Sequence, residues 1–253
     1  LTILMRTSQP EDAAAFEQWS TTLSESMRVY RVTPKAETPV NAYAYPALTP
    51  RGTGVHEVQS LPEADKALDQ IRQSLIAQYG GEYDYEEFTA RIAVPEGMTG
   101  YLNDENAQGD NRDTSYLMTN DFTLNSDEDF VVVYGVNHVA AGKATYANTV
   151  LYARPRLNGI VSLYDSMYGD SAAEYLPDVD SSKYYVLKMA RTALDSHTAV
   201  IPYSTDNPNG RFYGADNGTQ LLIAYRAYVE PETGVGPSYY EIVYDRAIVF
   251  HKK

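Results

Sequence analysis

Between Ser60 and Tyr79, apolar residues recur at alternating intervals of three and four: Leu61, Ala64, Leu68, Ile71 and Leu75. That spacing places them on one stripe of a 3.6-residue helix and leaves the opposite face polar. Ser60 with Glu63 reads as a capping box, Pro62 suits a first turn, and Gly80-Gly81 supplies a stop. The pattern predicts one clear amphipathic helix over about 61–79. Its polar face is not basic, so it is expected to cover a sheet or groove rather than lie on a membrane.

From Tyr83 onward the period falls to two. Strand character runs through Phe88 to Val94, Ser115 to Thr119, Phe130 to Gly135, Ala144 to Ala153 and Ile160 to Asp165. It returns in Tyr184 to Ala190, Thr198 to Pro202, Gln220 to Val229 and Glu241 to His251. Gly, Asn, Asp and Pro separate these runs at spacings that suit a sandwich or barrel, not βαβ units. Ahead of the long helix, Pro10-Glu11-Asp12 opens a short helix through Ala13, Phe16, Trp19 and Leu23. Met27 to Val32 alternates like a strand, Pro34, Pro39, Pro46 and Pro50 punctuate an extended stretch, and Arg51-Gly52-Thr53-Gly54 is a turn. The predicted class is mainly β, a β-sandwich with an N-terminal extension. Residues 1–80 form that extension with its helix, packed on a sandwich of residues 81–253.

A net charge of −14 and a pI near 4.6 argue against nucleic acid and against an anionic membrane surface. Such acidity keeps a secreted protein soluble and attracts divalent cations. The absence of cysteine excludes thiolate metal sites, cysteine nucleophiles and disulfides, and suits an exported bacterial protein that avoids oxidative mispairing. A chain that starts at Leu1 is what removal of a signal peptide would leave. No apolar run approaches the ~18 residues of a membrane helix. Tyrosines number 23 against 6 phenylalanines. Tyr suits strand faces with a packed ring and a wet hydroxyl, and it also serves glycan and protein recognition.

The loop from Asn103 to Asp113 gathers carboxylates and amides, the oxygen ligands that Ca²⁺ prefers. Asp104, Asn106, Asp110 and Asp113 are the candidate calcium ligands, although the closing Glu of a helix-loop-helix site is missing. Asn125 to Asp129 reads as an acidic hairpin turn. The four histidines, His56, His138, His197 and His251, form no zinc motif. His138 ends the most apolar strand and could serve as a ligand or base, whereas His251 is expected to be exposed. No nucleophile elbow, phosphate loop or dinucleotide fingerprint occurs.

Asn111-Arg112-Asp113-Thr114-Ser115-Tyr116 resembles the Asn-x-Asp-Thr-x-Tyr signature of a group of exported bacterial proteins of unknown function. The similarity continues through Val131 to Gly135 and through Leu221 to Pro231, which resembles that group's late strand ending in Arg-x-Tyr. The resemblance implies an envelope or extracellular setting and a jelly-roll-like β-sandwich; it implies no activity. On physical grounds Asp113 and Arg226 could pair between two strands, with Thr114 capping the turn. The candidate ligand-binding set is Asn111, Asp113, Thr114, Tyr116, His138, Arg226 and Tyr228. The expected function is an exported, non-catalytic binding or surface-structural protein that is extracellular, at the cell surface or periplasmic. Its expected partner is a glycan, a small ligand or a protein. The alternatives are a secreted hydrolase using carboxylates and a divalent ion, and a self-assembling layer or filament subunit.

Overall fold

The structure, a computed structural model, describes residues 13–33, 35–36, 49–93, 96, 100, 102–105, 112–204 and 214–253. The chain divides into two units, residues 1–47 and 48–253. In the first, α1 (Ala13–Thr21) and α2 (Leu23–Ser26) divide what the sequence predicts as one helix. The break falls where Ser20, Thr21 and Thr22 each turn a hydroxyl back onto the carbonyl three residues earlier. Such bonds offer the backbone an alternative to helix continuation. Met27 to Val32, predicted as a strand, joins no sheet, and Val29, Tyr30 and Val32 are 71%, 77% and 85% exposed. Alternation supplies the propensity, but a strand also needs a partner edge.

Among its described residues the second unit holds α3 (Glu57–Ser60), α4 (Ala64–Tyr79) and eleven strands. The strands are β1 (Tyr83–Thr89), β2 (Arg91–Ile92), β3 (Thr114–Met118), β4 (Phe122–Thr123), β5 (Phe130–Val136) and β6 (Tyr146–Ala153). They continue with β7 (Asn158–Tyr164), β8 (Tyr184–Ala190), β9 (Thr198–Val200), β10 (Gln220–Tyr228) and β11 (Arg246–Lys252). The first sheet runs β1-β11-β5-β8-β9; the second runs β2-β3-β10-β6-β7, with β4 added beside β10. All pairings are antiparallel except β8 with β9. The architecture is mainly β, two sheets in a sandwich-like arrangement.

Two apolar clusters explain the layering. Leu117, Leu151, Ile223 and Tyr225 of the second sheet meet Val131, Val133, Leu187, Met189 and Val249 of the first to make the inter-sheet core. On the other side of the first sheet, Ala64, Ala67, Leu68, Ile71 and Leu75 of α4 cover Phe130, Val132, Tyr134, Val186, Ile248 and Phe250. β5 and β8 are therefore buried on both faces, which is why they read as unbroken apolar runs. Tyr79 and Tyr83 finish the second cluster edge-on to Phe130, with centroids at 4.9 and 5.2 Å.

Local details differ from the expectations, although Gly80 ends the helix as expected. Ser60 closes α3 through a hydroxyl bond to the Glu57 carbonyl, so Glu63, without a side-chain cap, precedes α4 in place of the predicted capping box. Gly80 ends α4 with a right-handed φ of −63°. Its role is spatial, because a Cβ there would stand 2.7 Å from the Ile76 carbonyl oxygen. The acidic Asn125–Asp129 segment is no hairpin, since β4 belongs to the second sheet and β5 to the first. Asp129 instead anchors this crossover, accepting from Ser126 Oγ at 2.6 Å, Asn125 N at 2.8 Å and Lys252 N at 3.1 Å, with His251 Nδ1 at 2.9 Å. Burial alone would raise the Asp129 pKa, but these bonds hold it at about 2. His251 is accordingly half-buried and paired, not exposed as its terminal position suggests.

Candidate functional site

Among the described residues, the sequence-predicted ligand set divides between the outer face of the second sheet and a buried polar cluster. β3 and β10 pair with Tyr116 opposite Arg226 and Thr114 opposite Tyr228, so these four share the outer face of the second sheet. There the Arg226 guanidinium lies 5.3 Å from the Tyr116 ring centre and 5.5 Å from that of Tyr152. Its Nη2 donates to the Tyr152 hydroxyl at 2.7 Å and its Nη1 to Asn148 Oδ1 at 3.4 Å. Tyr146 and Tyr228 pack with centroids 5.3 Å apart on the same face. Asp113 precedes β3, and its carbonyl accepts from Val229 N at 2.8 Å. Arg226 thus meets two tyrosines and an amide rather than Asp113. Thr114 spends its hydroxyl on the Ala227 carbonyl at 3.0 Å instead of capping a turn.

Of the expected calcium ligands, Asn106 and Asp110 lie outside the described residues, as does Asn111 of the ligand set. Among the described residues, no group of three or more His, Asp or Glu side chains is placed to hold a metal ion.

His138 sits elsewhere, in a buried polar cluster that links distant parts of the second unit. Glu57, the first residue of α3, accepts from Val243 N through Oε2 at 2.7 Å and faces His138 Nδ1 through Oε1 at 2.7 Å. The other ring nitrogen of His138 lies 3.7 Å from Asp245 Oδ2, and Tyr185 donates its hydroxyl to Asp245 Oδ1 at 2.6 Å. Burial alone would lower the His138 pKa, but the two carboxylates raise it well above the ordinary value near 6.5. Both ring nitrogens thus face carboxylates, an arrangement that favours the protonated ring. Gly135 makes room for this cluster: a Cβ on it would stand 2.6 Å from Asp245 Oδ1.

A second cluster lies nearby. Lys143 Nζ reaches Glu230 Oε1 and Glu241 Oε2, each at 2.7 Å, and Thr53 Oγ1 at 3.1 Å. Glu241 also accepts from the amides of Thr53 at 2.9 Å and Gly54 at 2.8 Å. The predicted turn at Arg51–Gly54 thus wraps a carboxylate, and Gly52, at φ 86°, is required twice: a Cβ there would meet Glu241 Oε1 at 2.4 Å.

Both clusters clamp the segment 238–245, which forms one wall of a groove. The cavity, about 390 Å³, is lined by His56, Val58, Asp65, Thr89, Tyr239, Tyr240, Ile242, Val243, Tyr244 and Arg246. A smaller cavity of about 170 Å³ shares Thr89 and Arg246 and adds Arg72, Glu87, Phe88 and Tyr134. Tyr240 projects into solvent at 83% exposure, whereas Tyr239 is nearly buried and accepts from Tyr116 N at 3.1 Å. His56 Nδ1 accepts from Val58 N at 3.1 Å as the cap of α3, so in the neutral ring Nε2 carries the proton. Arg246 Nη2 lies 3.6 Å from Asp65 Oδ1. The groove therefore offers aromatic rings beside a donor, an acceptor and a guanidinium, on a wall fixed by buried ion pairs. Of the residues that fix this wall the sequence singled out His138 alone, because Glu57, Lys143, Glu230, Glu241 and Asp245 carry no local motif.

The fold and site define a mainly β, two-sheet protein with a helix-covered sheet and a tyrosine-walled groove. No protein-family model matches the chain. Over 90 residues it is 32% identical to the probable ribonuclease FAU-1 of Pyrococcus horikoshii, and to the same extent to that of Pyrococcus abyssi. The match takes in 34% of this chain, and the chain spans only 19% of the length of either relative.

Proposed function

We propose that the protein is an exported, non-catalytic binding domain that takes a neutral glycan in the groove walled by residues 239–246. The observation that carries this reading is the groove itself: about 390 Å³, with Tyr239, Tyr240 and Tyr244 beside His56, Asp65 and Arg246. Small-ligand sites commonly occupy about 300–1,000 Å³ and combine aromatic walls with a few placed polar groups. Aromatic faces suit the apolar faces of pyranose rings, and the polar groups suit ring hydroxyls. The wall is preorganised by Glu57–His138–Asp245 and by Lys143–Glu230–Glu241, which lowers the ordering cost of binding. A net charge of −14 repels polyanions and favours a neutral ligand. The test is a screen of neutral oligosaccharides by calorimetry, repeated on Tyr240→Ala; binding that ignores this substitution removes the groove from the account.

A second reading rests on the partial likeness to a probable ribonuclease. The Tyr116–Arg226–Tyr152 arrangement has the stacking chemistry that holds single-stranded bases. Titration with a short oligoribonucleotide decides it: binding that weakens with salt and is lost in Arg226→Ala supports the RNA reading, and no binding dismisses it.

A further inference from the structure

Residues Met27 to Thr33 have strand chemistry without a strand partner. They follow α2 in non-helical conformation, with Met27 extended at φ −110°, ψ 131°, and the segment from Arg28 to Thr33 is exposed throughout. Val29, Tyr30 and Val32 are 71%, 77% and 85% exposed, a density of β-formers that an isolated loop does not call for. The segment carries Arg28 and Arg31 and no acid.

β1 presents the complementary surface. It pairs with β11 on one side and is the terminal strand of its sheet. Among the described residues no backbone partner occupies its far edge. Asp84, Tyr85, Glu86 and Glu87 along it are all exposed. Open edges are templates for a further strand unless charge or shape blocks them. Glu87 already pairs with Arg72 of α4 through two hydrogen bonds, and Asp84 lies 3.9 Å from Lys253, so Glu86 and Asp84 are the carboxylates that repel a second acidic edge and accept a basic strand.

We propose that Met27–Thr33 of one copy adds as an extra strand to the free edge of β1 in a second copy. Donor and acceptor are each seven residues long. Backbone bonds would supply the affinity and the charges the register. In an added strand Arg28 and Arg31, three apart, would project to opposite faces, one of them toward the face of β1 that carries Asp84 and Glu86. The proposal is independent of the groove, because neither strand lines it except at Thr89.

Sedimentation velocity of the full chain across a concentration series tests it. Wild type should associate with rising concentration, and more weakly as salt is added. Hydrogen exchange should show the amides of 27–33 and 83–89 protected together only at high concentration. Arg28→Glu/Arg31→Glu should weaken association at least tenfold, and mixing that variant with Asp84→Lys/Glu86→Lys should restore it. Val29→Pro, placed in a segment with no ladder to disrupt, should abolish association while the melting temperature stays unchanged. A chain that is monomeric at every soluble concentration overturns the proposal, as does association that survives both donor variants.

Discussion

Replacing His138 by Leu removes the one cation between two buried carboxylates. Glu57 has no exposed surface and Asp245 is 3% exposed, so neither can turn to water without opening the structure. Breaking a buried ion pair from one side costs about 3–5 kcal/mol, because the remaining charge is left desolvated. For a domain of this size each kcal/mol moves the melting temperature by about 2–4 °C, so a loss of about 6–20 °C is expected at pH 7. Urea unfolding followed by circular dichroism should show a lower midpoint with an unchanged slope. The pH dependence adds a second test. In wild type the folded pKa of His138 is raised above its unfolded value near 6.5. Its contribution is therefore complete below about pH 6.5 and is lost as pH rises through the folded value. Glu57→Gln combined with His138→Leu should cost less than the two single changes together. A loss below about 1 kcal/mol for His138→Leu at pH 7 would refute the buried ion cluster and its support of the groove wall.

Other substitutions test the packing. Gly135→Ala inserts a methyl 2.6 Å from Asp245 Oδ1 and 3.1 Å from Tyr185 Cε1, and overpacking of that kind should cost about 1–3 kcal/mol in urea unfolding. Ile71→Ala, at the centre of the helix-to-sheet cluster, should cost about 2–5 kcal/mol, and a smaller loss would mean that α4 is not seated on the first sheet. Asp129, held at about pKa 2 against an ordinary 3.8, contributes stability that is present above about pH 3.8 and lost as pH falls toward 2. Asp129→Asn should flatten that acid limb of the melting profile, and an unaltered limb would assign it to other carboxylates.

The helix and the strands were legible in the sequence because their signals are periodic and local. The stripe from Leu61 to Leu75 states which face of α4 is buried, and the unbroken run Phe130–Val136 announces a strand covered on both sides. The predicted capping box was not realised, because the four residues before Leu61 make a helix of their own and consume Ser60. Met27 to Val32 has a strand's alternation without an edge to join, which sequence periodicity cannot reveal. Tyr116, Arg226 and Tyr228 share one face because strand alternation and pairing put them there. The pairing of Asp113 with Arg226 was suggested by their opposite charges, whereas Arg226 bonds Tyr152 and Asn148. The groove stayed hidden for a physical reason: residues 56, 65, 89 and 239–246 become neighbours only through long-range closure of α3, α4, β1 and β11.

Calorimetry on the best ligand from a neutral glycan array, comparing wild type with Tyr240→Ala, tests binding in the groove. Tyr240 is 83% exposed, so its removal should change stability by no more than about 0.5 kcal/mol. The account predicts an affinity at least tenfold weaker in the variant at an unchanged melting temperature. An array on which no glycan is retained, or equal affinity in the two proteins, would contradict it.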